Sequence, residues 1–250
     1  MNKDAENRVQ KIFAGVEDSL SRTDPEFVEI IANFSQDETV KASQLTEKEQ
    51  MLCILSALLG CQGRGEFQNM LHAALNTGID PVAIKEVIYQ ATAYLGVGRT
   101  YDFLIAANQI MEQHGIKLPL APQATTDENT RFEAGLDKQV ALFGPDMAKR
   151  QTDGPVLRRI INRWLADNCF GDYYTRNGLN DQEREMITFC FILAQGGCEN
   201  QLRGHTAGNF GVGNDKEKLY SVVEQCMPYI GYPRSLNAMS IIDEVAMKAE

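Results

Sequence analysis

The chain has 250 residues, 44% hydrophobic and 23% charged, with a formal net charge of −10. That length holds one large or two ordinary domains, and the composition is globular, with enough chain to bury a core without disulfides or metals. The acidic balance and the lack of any Lys/Arg-rich stretch exclude a nucleic-acid footprint, and an anionic substrate would need local arginines.

In chain order, Val9, Ile12, Phe13, Val16 and Leu20 recur at helical spacing and predict one amphipathic helix. Asp24-Pro25 opens the next, with Phe27, Ile30, Ile31 and Phe34 on its apolar face. Thr46-x-x-Glu49 reads as a capping box ahead of the apolar run Met51 to Leu59, which Gly60, Gly63 and Gly65 are expected to break. Asp80-Pro81 opens another helix, and a further one runs from about Arg99 to His114. Residues 115–127 carry Pro119 and Pro122 without periodicity and read as a linker. Beyond it, helices are predicted around Phe132 to Phe143 and Val156 to Asp167. Asn180-x-x-Glu183 then precedes Met186 to Leu193, Gly196-Gly197 breaks the pattern, and Asn214 or Asp215 caps the following helix. Alternating strand patterns are almost absent, so the fold class is all-α.

Two of the three histidines sit in one phrase written twice. The first copy is Glu66-x-Gln68-x-x-x-His72-x-x-x-Asn76-x-Gly78, and the second is Glu199-x-Gln201-x-x-x-His205-x-x-x-Asn209-x-Gly211. The capping positions repeat too, as do Tyr94-x-Gly96 with Arg99 and Tyr229-x-Gly231 with Arg234. The chain is therefore read as a tandem duplication, with repeats at 1–114 and 128–250 around the linker.

The polar start is not that of a secretory signal, and no apolar run approaches the roughly 18 residues of a membrane span. The six cysteines, Cys53, Cys61, Cys169, Cys190, Cys198 and Cys226, form no C-x-x-C pair. They predict a reduced, cytoplasmic protein with most thiols acting as small core residues.

Three segments of the second half carry a family resemblance. They are Cys169-Phe-Gly-Asp-Tyr-Tyr-Thr-Arg-Asn-Gly-Leu179, Gly196-Gly-Cys-Glu-Asn-Gln-Leu-Arg-Gly-His205 and Pro228-Tyr-Ile-Gly-Tyr-Pro-Arg-Ser-Leu-Asn-Ala238. Their order and the duplicated core resemble the carboxymuconolactone decarboxylase family, part of the alkylhydroperoxidase D-like superfamily. The match is close over about residues 168–247 and looser over 45–108. The resemblance implies helical hairpins that pack into homo-oligomers, with a trimer of tandem chains expected and sites near subunit or repeat contacts. It implies either of two chemistries. One is cofactor-free decarboxylation of a carboxymuconolactone; the other is thiol-dependent peroxide reduction through a C-x-x-C pair with Glu and His relaying protons.

On one helix, Cys198, Gln201 and His205 would form a stripe about 10 Å long at ~1.5 Å rise per residue. Histidine suits proton transfer near neutral pH. Glu199 and Arg203, four apart, would pair on the neighbouring stripe, and Arg203 could instead take a substrate carboxylate in fork geometry. His205, Glu199 and Cys198 are thus the candidate catalytic residues. Arg203, Arg176, Arg234 and Tyr173 are the candidate substrate-binding ones, with Tyr174 or Tyr229 as further aromatic walls. Glu66, Gln68 and His72 are read as structural counterparts in the first repeat. Gln68 and Gln201 are expected to tie helices together, and Asn76 and Asn209 to serve helix ends.

The peroxidase alternative lacks a resolving thiol, because Gln201 occupies the second cysteine position. Cys190 would substitute only if the Gly-Gly break folded the chain back. A one-cysteine cycle with an external thiol is the remaining form of that alternative, and a non-catalytic assembly protein is the third. No metal and no cofactor is expected: Glu199 and His205 do not share a face, and no dinucleotide or phosphate loop appears. The partners expected are a small-molecule substrate and further copies of the chain.

Overall fold

The structure, a computed structural model, describes residues 1–16 and 19–249, and every regular element among them is helical. The first half holds α1 (Lys3–Ile12), α2 (Leu20–Thr23), α3 (Pro25–Asn33), a π-helical turn at Phe34–Glu38 and α4 (Thr39–Ala42). It continues with α5 (Glu47–Cys61), α6 (Arg64–Asn76), α7 (Pro81–Leu95) and α8 (Val97–Gln113). The second half holds α9 (Arg131–Phe143), α10 (Asp146–Lys149), α11 (Val156–Trp164), a longer π-helical segment at Leu165–Tyr174, α12 (Asp181–Gln195), α13 (Glu199–Gly211), α14 (Lys216–Ile230) and α15 (Tyr232–Ala249).

Local chemistry accounts for most helix starts. Thr46 Oγ1 accepts from Glu49 N at 3.3 Å while Glu49 Oε2 accepts from Thr46 N at 2.9 Å; Asn180 and Glu183 repeat the exchange at 2.9 and 3.1 Å. Each box satisfies two otherwise orphaned groups at a helix start. Asp80 and Asp215 cap α7 and α14 with one bond each, their carboxylates accepting from Val82 N and Lys218 N.

The helices that these boxes open, α5 and α12, are buried from Gln50 to Gly60 and from Arg184 to Ala194, so both are core elements rather than amphipathic surface ones. Lys48 Nζ meets Glu183 Oε1 at 2.5 Å near their starts, and Gly60 abuts Ala194 near their ends. The two therefore lie side by side in the same direction. A Cβ on Gly60 would stand 2.7 Å from both Ala194 Cβ and Phe191 O, so glycine sets the close approach here. The expected helix break at Gly60 is thus corrected: α5 runs through it and stops at Gln62, which takes the left-handed conformation at φ 61°. Gly65, also expected as a breaker, lies inside α6.

Two further expectations change. The single helix predicted over Val9 to Leu20 ends at Ile12, and residues 17 and 18 lie outside the described residues. The helix predicted over Val156 to Asp167 continues as the π-helical segment to Tyr174. Gly171 of that segment packs backbone to backbone on α9, where a Cβ would collide with the Arg131 carbonyl. The wide turns of a π-helix redirect side chains locally, and this segment buries Cys169, Phe170 and Tyr174.

The halves share one hydrophobic core, with Leu52, Phe67 and Ile84 packed in the same cluster as Phe189, Val222 and Ile242. The linker straps the second half. Asn177 N donates to Gln123 O at 3.0 Å, and Thr126 Oγ1 donates to Gly171 O at 2.9 Å. No helix of the described residues is long and apolar enough to cross a membrane.

Candidate functional site

The repeated histidines part company in three dimensions. His205 projects from α13 toward α12, where its Nδ1 lies 2.9 Å from Glu185 Oε2. The glutamate side chain is fully buried, and that of His205 is 12% exposed. A buried charge needs hydrogen-bonded partners, and Glu185 has them on both oxygens. Tyr174, from the π-helical segment, donates its hydroxyl to Glu185 Oε1 at 2.9 Å. Tyr94, from α7 of the first half, donates to the Tyr174 hydroxyl at 3.0 Å, and the Cys169 thiol donates to Tyr94 at 3.7 Å. Thr188 Oγ1 completes the Tyr174 contacts at 2.7 Å.

The donors thus run in one direction, from Cys169 through Tyr94 and Tyr174 to a single carboxylate. Within that pattern His205 gives its Nδ1–H to Glu185 and keeps the Nε2 lone pair for other chemistry, the usual way a carboxylate fixes an imidazole tautomer. Burial, reinforced by the Glu185 charge, holds the Tyr174 phenol well above its ordinary range. Burial does the same for Tyr94, with further contributions from Cys169, Tyr174 and Glu185. Both phenols therefore stay protonated as donors. The Cys169 thiol is pushed up to about 12, mainly by burial, which leaves it unreactive.

Packing holds the pair in place. The His205 ring is met edge-on by Tyr94 and by Phe143, each at 5.4 Å between centroids. Gly208, one turn along α13, makes room for the acid: a Cβ there would collide with Glu185 Oε2 and stand 2.8 Å from Phe143 Cε1. Asn209 ties α13 to α12, donating to Glu185 O at 3.0 Å.

The first half lacks this arrangement. Aligning the two capping boxes places Met51 opposite Glu185, and aligning the phrases places Leu75 opposite Gly208. His72 instead sets Nδ1 2.9 Å from His114 Nε2, and burial together with the His114 charge lowers its pKa. His72 and Gln68 line a pocket of about 440 Å³ with Gly65, Asn69 and Gln113, and Glu66 is exposed. Asn76 holds the end of α1 rather than its own helix end, donating to the Ile12 and Ala14 carbonyls at 2.9 and 3.0 Å.

The remaining candidates are dispersed. Arg203 does not pair with Glu199; its Nε donates to Glu244 Oε2 at 2.8 Å, on α15. Cys198 is the non-helical N-cap of α13, with Gln195 Nε2 at 3.1 Å from its sulfur, so the expected stripe loses its first member. Gln201 of that stripe is exposed, while Tyr173 is half-buried. Cys198, Glu199 and Arg234 border a slit of only about 20 Å³, and Arg234 donates to the Ala194 carbonyl. Arg176 is taken by Glu86, 3.0 Å from each carboxylate oxygen. Cys190 is fully buried with its sulfur 3.8 Å from that of Cys226, so it does not reach back to Cys198. All six cysteines are free. No group of three or more His, Cys, Asp or Glu side chains among the described residues is placed to hold a metal ion.

Sequence reasoning missed Glu185, Tyr94 and Gly208. The available signals were the adjacent charges Arg184-Glu185 at the head of an apolar run and the glycine standing where the first copy has leucine.

Comparisons with known proteins bear on the same repeats. The sequence pattern of the carboxymuconolactone decarboxylase family matches residues 25–109 and 161–244, more than half of the chain. A 4-carboxymuconolactone decarboxylase of Acinetobacter baylyi (strain ATCC 33305 / BD413 / ADP1) is 26% identical over 120 residues, covering 48% of this chain and 89% of that protein. In fold, the chain is similar to the crystal structure of a candidate gamma-carboxymuconolactone decarboxylase subunit from Burkholderia xenovorans LB400. The TM-score is 0.57 at 16% identity, over 98% of this chain and 97% of that one. With both helical repeats matched, this chain belongs to the carboxymuconolactone decarboxylase family.

Proposed function

We propose that the chain is a cofactor-free decarboxylase acting on a small carboxylated lactone or a related acid, with a single site in the second half centred on His205. The observation that carries this reading is the buried Glu185 holding His205 Nδ1 at 2.9 Å, an arrangement the first half lacks. In the proposed reaction the bond from ring carbon to carboxylate breaks, carbon dioxide departs, and the electron pair remains as a dienolate. His205 Nε2 takes up one proton from solvent and delivers it to carbon, and Glu185 stabilises the transient imidazolium. Glu185 is a positioning residue here, because it acts through the histidine.

A substrate carboxylate needs a cation. Arg203 and Arg176 already face carboxylates, whereas Arg234 meets a carbonyl and no carboxylate among the described residues within ion-pair distance. Of these three candidates Arg234 alone is without a carboxylate partner among the described residues, which supports it as the cation, and it borders the slit beside Cys198 and Glu199 rather than the His205 ring. We further propose that the chain forms a homo-oligomer. α11 supports this by exposing Val156, Leu157, Ile161 and Trp164, a run of apolar side chains of the kind that marks an interface.

One observation favours a second reading. Cys198 is part-exposed at the N-cap of α13, beside Arg234, where a thiol could reduce peroxide with an external thiol as reductant. Two assays on one sample separate the readings: loss of carboxymuconolactone absorbance, and peroxide consumption with added thiol, each for wild type, His205→Ala and Cys198→Ser. The decarboxylase reading requires His205→Ala to abolish the first while Cys198→Ser leaves it intact. Peroxide consumption lost in Cys198→Ser, with no decarboxylation by wild type, would put the thiol reading first. Silence of wild type in both assays would leave an assembly protein that kept the fold.

A further inference from the structure

A second polar cluster lies apart from His205, where α7 and α8 face the linker. A cleft of about 510 Å³ opens there, lined by Lys85, Glu86 and Tyr89 of α7, Asn108 of α8, linker residues 118–123 and Arg176. Lys85 is only 8% exposed, and its ammonium meets the Asn108 side-chain oxygen. No carboxylate among the described residues lies within ion-pair distance of it. The buried carboxylate of the cleft, Glu86, is already shared between Arg176 at 3.0 Å and Arg184 at 3.2 Å.

Two arginines therefore occupy Glu86, and Lys85 is left without a counter-ion among the described residues although Glu112 also lines the cleft, in a chain whose overall charge is −10. A buried ammonium without a counter-ion is costly, and burial accordingly lowers the Lys85 pKa. Such a group is unfavourable for stability unless something anionic arrives to pair with it. The linker gives the rest of the wall an apolar character through Leu118, Pro119 and Leu120. The cleft thus sets an apolar linker wall against convergent polar groups of α7 and α8, two ingredients of a ligand pocket.

We propose that this cleft is a binding site for a small organic anion, whose carboxylate is received by Lys85 and whose apolar body lies against Tyr89 and Leu118. The site is separate from the His205 centre and does not depend on the decarboxylase reading.

The test is calorimetric titration of the intact protein with benzoate at low ionic strength, with inorganic phosphate as the second arm. Wild type is expected to bind benzoate saturably at one site per chain, and phosphate more weakly. Lys85→Met should weaken benzoate binding by about ten- to a hundred-fold, the range of one charge-assisted hydrogen bond. It should also raise the melting temperature, because it removes an unpaired buried charge. Leu118→Glu places a like charge on the linker wall and should weaken binding similarly. His205→Gln should bind as wild type does. Absence of saturable binding to wild type overturns the proposal, as does unchanged binding in the two cleft variants. Phosphate binding as tight as benzoate overturns the carboxylate assignment, and loss of binding in His205→Gln alone moves the ligand to the other centre.

Discussion

Replacing Glu185 by glutamine tests the site at its least exposed atom. The carboxylate is fully buried and accepts from Tyr174 and from His205, each at 2.9 Å. Glutamine preserves the shape and the oxygen facing Tyr174, but sets an amide N–H₂ toward His205 Nδ1. The amide can only donate there, so the imidazole proton must move to Nε2 and the lone pair needed for proton uptake is lost. Two hydrogen bonds to a charged group, worth roughly 1.5–3 kcal/mol each, become neutral ones worth about 1 kcal/mol. Relief of the buried charge offsets part of this, so the expected loss of stability is about 1–2 kcal/mol. At this chain length that lowers Tm by about 2–4 °C per kcal/mol. Proton transfer should fall by about 10²–10⁴-fold. Nitrogen-15 chemical shifts of His205 report the tautomer whatever the substrate proves to be, and decarboxylation kinetics report the rate. An unchanged tautomer in Glu185→Gln, or a kcat within three-fold of wild type, would refute the reasoning.

Gly208→Ala should cost about 1–3 kcal/mol by overpacking and separate His205 from Glu185, visible in thermal melts and the same nitrogen shifts. Gly204→Ala is its control: nothing stands within 4 Å of a Cβ there, so it should leave the shifts alone and stabilise by up to about 1 kcal/mol. Lys85 gives a pH dependence of definite sign. Its folded pKa lies below the unfolded value of about 10.4, so the unfolded state binds more protons between the two and stability rises with pH across that window. The gain of Lys85→Met over wild type should therefore be largest near neutrality and shrink as pH approaches the unfolded value; a gain independent of pH would contradict the assignment. The groups facing Lys85 from α7, α8 and the second half are Glu86, Glu112 and Arg176, and none pairs with it. On α11, Leu157→Glu with Trp164→Glu should reduce the light-scattering mass from a multiple toward the single-chain 27.9 kDa. A wild type already at that mass would count against the homo-oligomer.

Helices and their starts were legible in the sequence because they are local. The Thr46–Glu49 and Asn180–Glu183 boxes act within one turn, and the apolar spacing along α5 and α12 needs no partner to be recognised. The duplication was legible for the same reason, as was the repeated phrase that contains His72 and His205. What failed was any inference that treated a motif as flat. Glu199 and Arg203 are correctly spaced to pair, yet Glu244 of α15 captures the arginine at 2.8 Å. Cys198 has the right interval from His205, yet lies outside the helix as its cap.

Sequence alone determined an all-α chain of two copies, a phrase that carries His72 in one copy and His205 in the other, and an asymmetry between the halves. Tertiary structure decided what that asymmetry consists of. Glu185 belongs to a different helix from His205, Tyr174 to a π-helical segment, and Tyr94 to the other repeat. Their meeting depends on α12 being buried on every side, and on a glycine at 208 leaving room for a carboxylate where the first copy packs leucine. A buried acid is tolerated only where several distant elements supply its donors, and no local pattern records which elements will arrive.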